Sequence, residues 1–265
     1  MNKRARDPLP GGWRDDLMRK ADLERSFDEL EGRRGFYAEA LRGRIRSLQM
    51  HTQEAWQHLE RAQQKALRAQ DDLNSLTRQF TLNLWCFEHA LLESSPEPEG
   101  DGVPETRFPE PPGGLLEHYP QVRAVMTLRR YSEAMLRLHL GDWMDAAALF
   151  EELIENERAN LDGNLPYYYL GLAACHHGAE VEDLAFRNLE DAGLTAAASG
   201  STLRQARVAG ALHGIYHLLS EDRRADGWKA FLERLPCPEA TKKVFLRRGS
   251  LIGERSREQG WLVVL

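Results

Sequence analysis

Five side chains have the make-up of a metal site: Cys175, His176, His177, His213 and His217. Thiolate and imidazole are the donors that zinc and copper favour. The first three close one expected helix, and His213 and His217, four residues apart, share a face of a later one. Were those helices neighbours, the five could meet. Their spacing follows no established metal signature, and polar helix ends around a small core cysteine account for the same residues, so neither a metal nor a cofactor is expected. Glu151-Glu152 and Asp71-Asp72 read as solvated helix surface or caps. The chain has no glycine-rich phosphate loop, no GxSxG and no HExxH. No catalytic residue is assigned, and the expected answer to whether the chain is an enzyme is no.

The elements that carry these residues follow from composition and proline placement. The 265 residues, 42% hydrophobic and 29% charged, suffice for one large domain or two small ones. A net charge of −6 argues against general nucleic-acid affinity, which depends on clustered cations. The basic start "MNKRARDPLPGG" lacks the apolar run of a secretory signal, and no window reaches the roughly 20 apolar residues of a membrane span. Three scattered cysteines, Cys86, Cys175 and Cys237, point to a reducing, cytoplasmic setting.

Proline inside a helix removes a hydrogen bond and clashes with the preceding turn. None of the twelve prolines lies between Pro10 and Pro96, seven fall within 96–120, and only Pro166 interrupts 121–235. The division this predicts is an N-terminal helical region over 1–94, an acidic Pro/Gly-rich loop over 95–120, helical repeats over 121–250 and a C-terminal tail over 251–265. In 13–31, Leu23, Phe27 and Leu30 share a helical face, with Gly32 placed as a left-handed cap. From Ala55 to Leu91 apolar residues recur in steps of three and four. One long helix satisfies that pattern; a break near "QDDLNS" is preferred because Asp and Asn cap helices well.

After the loop the helices pair. "VRAVMTLRRYSEAMLRLHLGD" leads into "WMDAAALFEELIEN", "PYYYLGLAACHHGAE" into "EDLAFRNLEDAG", and "LRQARVAGALHGIYHLLSE" into "RRADGWKAFLERL", with a last helical piece near 238–248. Ala146, Ala185 and Ala225 open the second helices 39 and 40 residues apart, a period typical of stacked helical hairpins. Gly141, Asp142, Trp143, Ala146 and Phe150 resemble the turn and second helix of a tetratricopeptide repeat (TPR), and Tyr167, Leu170, Gly171 and Ala174 resemble its first helix. Arg137 departs from that pattern, and the spacing exceeds the usual 34. A further unit of the same kind is expected around Gly43 and Ala55, over 36–66.

The resemblance implies an all-α fold of antiparallel helical hairpins stacked as a TPR-like solenoid, about ten helices with one long Pro-rich loop. It also implies a non-enzymatic scaffold or adaptor that binds a protein or peptide partner in the groove of its first helices. Tyr131, Met135, Leu138, Tyr168 and Leu172 are the candidate groove residues; the competing assignment places them in the core. Arg33, Arg34, Arg42, Arg44 and Arg46 form a basic cluster, read as a solvated face or a partner of the acidic loop before an anionic or nucleic-acid ligand. The apolar end Trp261–Leu265 is expected to dock as a cap.

Overall fold

Helices form where the three- and four-residue apolar spacing places them. The computed structural model describes residues 13–66, 120–158 and 163–259, and every regular element among these is an α-helix. The N-terminal part holds α1 (Trp13–Lys20), α2 (Leu23–Asp28), α3 (Phe36–Leu48) and α4 (Thr52–Ala66). The rest holds α5 (Pro120–Leu140), α6 (Trp143–Glu157), α7 (Leu165–Gly178), α8 (Glu182–Ala198), α9 (Thr202–Leu218), α10 (Asp222–Arg234) and α11 (Glu239–Gln259). Pro166 sits in the first turn of α7, where its missing N–H is no loss. The preferred break near 70–75, nearly all of the loop over 95–120 and the apolar end over 261–265 lie outside the described residues.

Two expected boundaries move. The single helix expected over 13–31 is two, because Ala21 takes a left-handed φ of 50° and Asp22 then caps α2, its side chain accepting from the Arg25 N–H at 3.2 Å. At the other end α11 continues to Gln259, so the expected tail boundary at 250 falls inside a helix.

One turn joins four hairpins. Met50, Gly141, Glu180 and Ser220 have φ of 65°, 80°, 60° and 60°. Each donates its N–H three residues back, and its successor donates five residues back: His51 to Arg46, Asp142 to Arg137, Val181 to His176 and Glu221 to Tyr216, at 2.8–3.0 Å. This is the Schellman closure, which satisfies carbonyls left without partners at a helix end. The next helix begins two residues beyond the left-handed residue, and its fourth residue is a buried alanine: Ala55, Ala146, Ala185 or Ala225. A methyl group at that point lets the two helices of a hairpin approach closely.

The hairpins α5/α6 and α7/α8 pack side by side through α6 and α7, and α8 leads into α9, which packs on α10 and α11. Phe150 of α6 fills the space above Gly171 of α7, where a Cβ would strike its ring. Trp143 covers Gly178 in the same way. The tightest approach is between α9 and α11: a Cβ on Gly214 would strike the Gly249 carbonyl, and one on Gly249 would strike the Gly210 carbonyl. These two helices cross backbone to backbone.

Helices α1 to α3 pack with the C-terminal helices. Leu17, Leu23, Leu30, Ile45 and Leu48 share a core with Leu203, Ala209, Leu232 and Phe245 of α9, α10 and α11. Burying a side chain of this size contributes about 1.5–3 kcal/mol, and polar contacts fix the register. Arg248 of α11 donates to the Ser47 and Leu48 carbonyls at 3.0 and 3.3 Å, placing a cation on the C-terminal end of α3. The buried Thr241 hydroxyl donates to the Ala21 carbonyl at 2.7 Å.

Candidate functional site

The five groove candidates are core residues. Tyr131, Met135 and Leu138 of α5 and Tyr168 and Leu172 of α7 are all buried. The Tyr131 ring meets Tyr168 edge-on at 5.2 Å and Phe150 at 6.2 Å. Burial, followed by the nearby Glu157 charge, pushes the Tyr168 phenol far above its ordinary range. The surface assignment of these residues is therefore corrected to packing. The physical reason is that α7 is apolar on nearly every face, because α5, α6 and α8 enclose it. A helix apolar on nearly every face offers little polar contrast from which to phase its groove side. On α7 the half-exposed positions are instead Tyr167 and Tyr169 and, at its C-terminal end, His176, His177 and Gly178. Tyr167 carries the Arg207 guanidinium 4.6 Å from its ring centroid.

On α9 only Gln205, His213, His217 and Leu218 reach the surface. Its buried residues run around the helix, from Leu203 and Arg204 through Arg207 and Val208 to Ile215 and Tyr216. The surrounding helices are α8, α10, α11 and α1. The N-terminal helix therefore lies against α9.

The cysteine and histidines do not assemble into one site. Cys175 is buried, and desolvation pushes its thiol up to about 12. His176 Nδ1 meets Asn188 at 2.9 Å, and burial holds its imidazole below the ordinary value despite the Glu151 charge. His177 meets Glu182 at 3.0 Å, His217 meets Asp222 at 3.1 Å, and His213 lies 3.0 Å from the Ala225 carbonyl. Three of the four histidines thus bind the second helix of their own hairpin near its start, and the fourth, His176, reaches Asn188 further along α8. Among the described residues no three His, Cys, Asp or Glu groups come together as a metal site.

The basic cluster divides among internal partners. Arg42 is buried and donates to the Leu30 carbonyl and, at 3.1 Å, to that of Arg33. Arg46 pairs with Glu54 at 2.9 Å and Glu24 at 3.6 Å, donates to Gln49 at 2.8 Å and lies 3.6 Å from the centroid of the Phe27 ring. Arg33 donates to the Glu29 carbonyl at 3.2 Å. Arg34 is exposed and Arg44 half-buried, so the five do not share one cationic face.

At the centre of this region lies Glu39, which sequence reasoning passed over. Its buried carboxylate is 2.8 Å from His58 Nδ1, 3.2 Å from Lys65 Nζ and 3.6 Å from Arg42. Burial raises its pKa, but the hydrogen bonds and charges of His58 and Lys65 outweigh that effect and hold it below the ordinary carboxylate value. The signal was legible: Glu39 interrupts the stripe Phe36, Ala40, Gly43. Its chemistry ties α3 to α4, with Phe27 of α2 placed edge-on to His58 at 5.8 Å.

Apolar exposure concentrates at two hairpin tips, a feature the sequence analysis also missed. Leu140, Met144, Val181 and Leu184 flank the α5/α6 and α7/α8 turns, and all are exposed. A shallow depression of about 320 Å³ between the tips is lined by Trp143, Met144 and Ala179, together with Gly141, Asp142 and Asp145. Arg137, the departure from the repeat pattern, pairs here with Asp145 at 2.6 Å and Glu133 at 3.5 Å. No helix among the described residues is long and apolar enough to cross a membrane. No family model, no curated protein and no solved structure matches this chain.

Proposed function

We propose that the chain is a non-enzymatic, cytoplasmic protein-interaction scaffold built as a TPR-like stack of helical hairpins. The observation that carries this reading is the recurrence of one turn at Gly141, Glu180 and Ser220, each delivering a buried alanine four residues into the next helix's course. The spacing of 39 and 40 residues is kept in both the turn and the alanine. Met50 and Ala55 repeat the device in α3/α4. Stacked hairpins contact mainly their neighbours and present extended surfaces, which suits them to holding protein segments. The contact surface of this reading lies outside the first-helix stripe, since that stripe is consumed by packing.

The test is affinity capture with the full chain from its native host, followed by reconstitution of each captured protein in purified form. Saturable binding of a purified partner supports the scaffold. Stoichiometric zinc or copper in the purified chain, or retention of RNA that falls steeply with salt, would replace it with one of the other two readings.

A further inference from the structure

We propose that the tips of the α5/α6 and α7/α8 hairpins together form a docking surface for a cationic, amphipathic peptide segment of a partner protein. This rests on the scaffold reading and names its surface and the chemistry of its partner. Of the six exposed large hydrophobic residues among the described residues, four are at these tips: Leu140 at 62%, Met144 at 72%, Val181 at 40% and Leu184 at 42% exposure. Trp143, Met144 and Ala179 line one depression, so the two tips form a continuous surface. Clustered apolar exposure marks a contact surface far more often than scattered residues do.

The turn itself does not demand apolar residues. The α9/α10 tip makes the same closure with Glu221, Asp222, Arg223 and Arg224, and the α3/α4 tip is followed by Gln53 and Glu54. Met50, Leu218 and Leu219 at those tips are half-buried, so exposed large apolar side chains occur at two of the four described tips. Their surroundings select the partner's charge. Asp142 and Asp145 line the depression, and the exposed Glu180, Glu182 and Asp183 are chain neighbours of Val181 and Leu184, against Arg137, which is shared with Asp145 and Glu133, and His177, which faces Glu182. Carboxylates beside exposed apolar residues complement a segment with leucine-like residues on one face and lysine or arginine on the other. It disfavours the same face of a second copy, which would bring carboxylates together.

The probe is a fluorescent, helix-forming 18-residue peptide with leucines on one face and lysines on the other, titrated with the full chain and followed by anisotropy. A glutamate-for-lysine version serves as the control. Saturable binding is expected for the lysine peptide alone. It should weaken at least tenfold in Met144→Ser/Leu184→Ser and in Asp142→Lys/Asp183→Lys, and stay unchanged in Arg223→Ser at the third tip. All four positions in the paired variants are surface positions, and circular dichroism melts of each variant confirm that the fold is retained. Absence of saturable binding, equal affinity in Met144→Ser/Leu184→Ser, or equal affinity for the glutamate peptide overturns the proposal. So does self-association that the Ser variant abolishes, which assigns the face to a second copy. If a reconstituted host partner binds wild type and Ser variant alike, the scaffold stands and this surface does not. If neither peptide nor host protein binds, both fall.

Discussion

Between α6 and α7, contact is made by rings laid over glycines: Phe150 on Gly171 and Trp143 on Gly178. Between α2, α3 and α4, the join is a lattice of charge, with Glu39 held by His58, Lys65 and Arg42, and Arg46 held by Glu24, Glu54 and Phe27. The hairpin turn is the same in both regions. Identical backbone geometry therefore accepts two kinds of cohesion with different weaknesses. Ring-on-glycine packing is indifferent to ionic conditions and intolerant of added volume, because close-packed interiors have no room to give. A charge lattice has the opposite sensitivity, since its strength depends on protonation and on every partner being present.

The comparison breaks first on volume. Gly214→Leu at the α9/α11 crossing meets backbone on both sides, so no side chain can move aside. The expected loss is about 3 kcal/mol or more of unfolding free energy, at the upper end of overpacking costs, read from urea midpoints. Because α11 also holds α3 through Arg248, the change should loosen the N-terminal helices as well, seen as faster amide exchange over 36–48. A loss below about 1 kcal/mol would mean that α9 and α11 are not in backbone contact.

Charge is the second lever. Glu39→Gln keeps the shape but leaves His58, Lys65 and Arg42 around a neutral group, and should cost about 2 kcal/mol, below the range for breaking a fully buried pair because Lys65 is part-exposed. The pH dependence has a defined sign. The folded carboxyl is held below its ordinary 4.5, so its contribution is complete above that value and disappears as pH falls through the lower, folded value. His176 in α7 behaves similarly in a higher window: its folded pKa lies below 6.5, so its contribution is complete above 6.5 and is lost as the pH drops beneath it. Urea midpoints of wild type and Glu39→Gln should be separated above pH 4.5 and draw together as the pH falls below it. Parallel curves across that range would remove Glu39 as the acid-sensitive group.

Much of the architecture could be read from residue order. The pairing of helices after 120, the fourth-position alanines and the extra hairpin over 36–66 all follow from spacing and small-residue placement. What resisted reading has a physical cause: α7 is apolar on nearly every face and α9 buries residues, Arg204 and Arg207 among them, on most sides, so their periodicity carries little phase. Tyr168 and Leu172 look the same in sequence whether they face a groove or a neighbour. The docking of α1–α3 on α9–α11 is likewise a contact between distant segments, specified by Thr241 and Arg248 reaching carbonyls that no sequence pattern marks. The break at Ala21 was closer to legible, since Asp22 is an ordinary N-cap residue.

The smallest expected effect tests whether the shared turn is strained differently in the two regions. A residue with a Cβ in the left-handed conformation carries roughly 1–2 kcal/mol of steric cost, which glycine escapes. Glu180 and Ser220 are exposed, so replacing either with glycine loses little contact and should stabilise the chain by about 0.5–1 kcal/mol, after the greater entropy of the unfolded glycine chain is deducted. Met50 makes the same turn but is half-buried. Met50→Gly relieves the same strain while exposing apolar surface, at about 25 cal/mol per Å², so its net gain should be close to zero. Thermal melts of the three variants should rank Glu180→Gly and Ser220→Gly above wild type, with Met50→Gly beside it. If all three gain equally, Met50 adds nothing to the α3/α4 hairpin beyond its backbone, and the charge lattice alone distinguishes that hairpin from the rest.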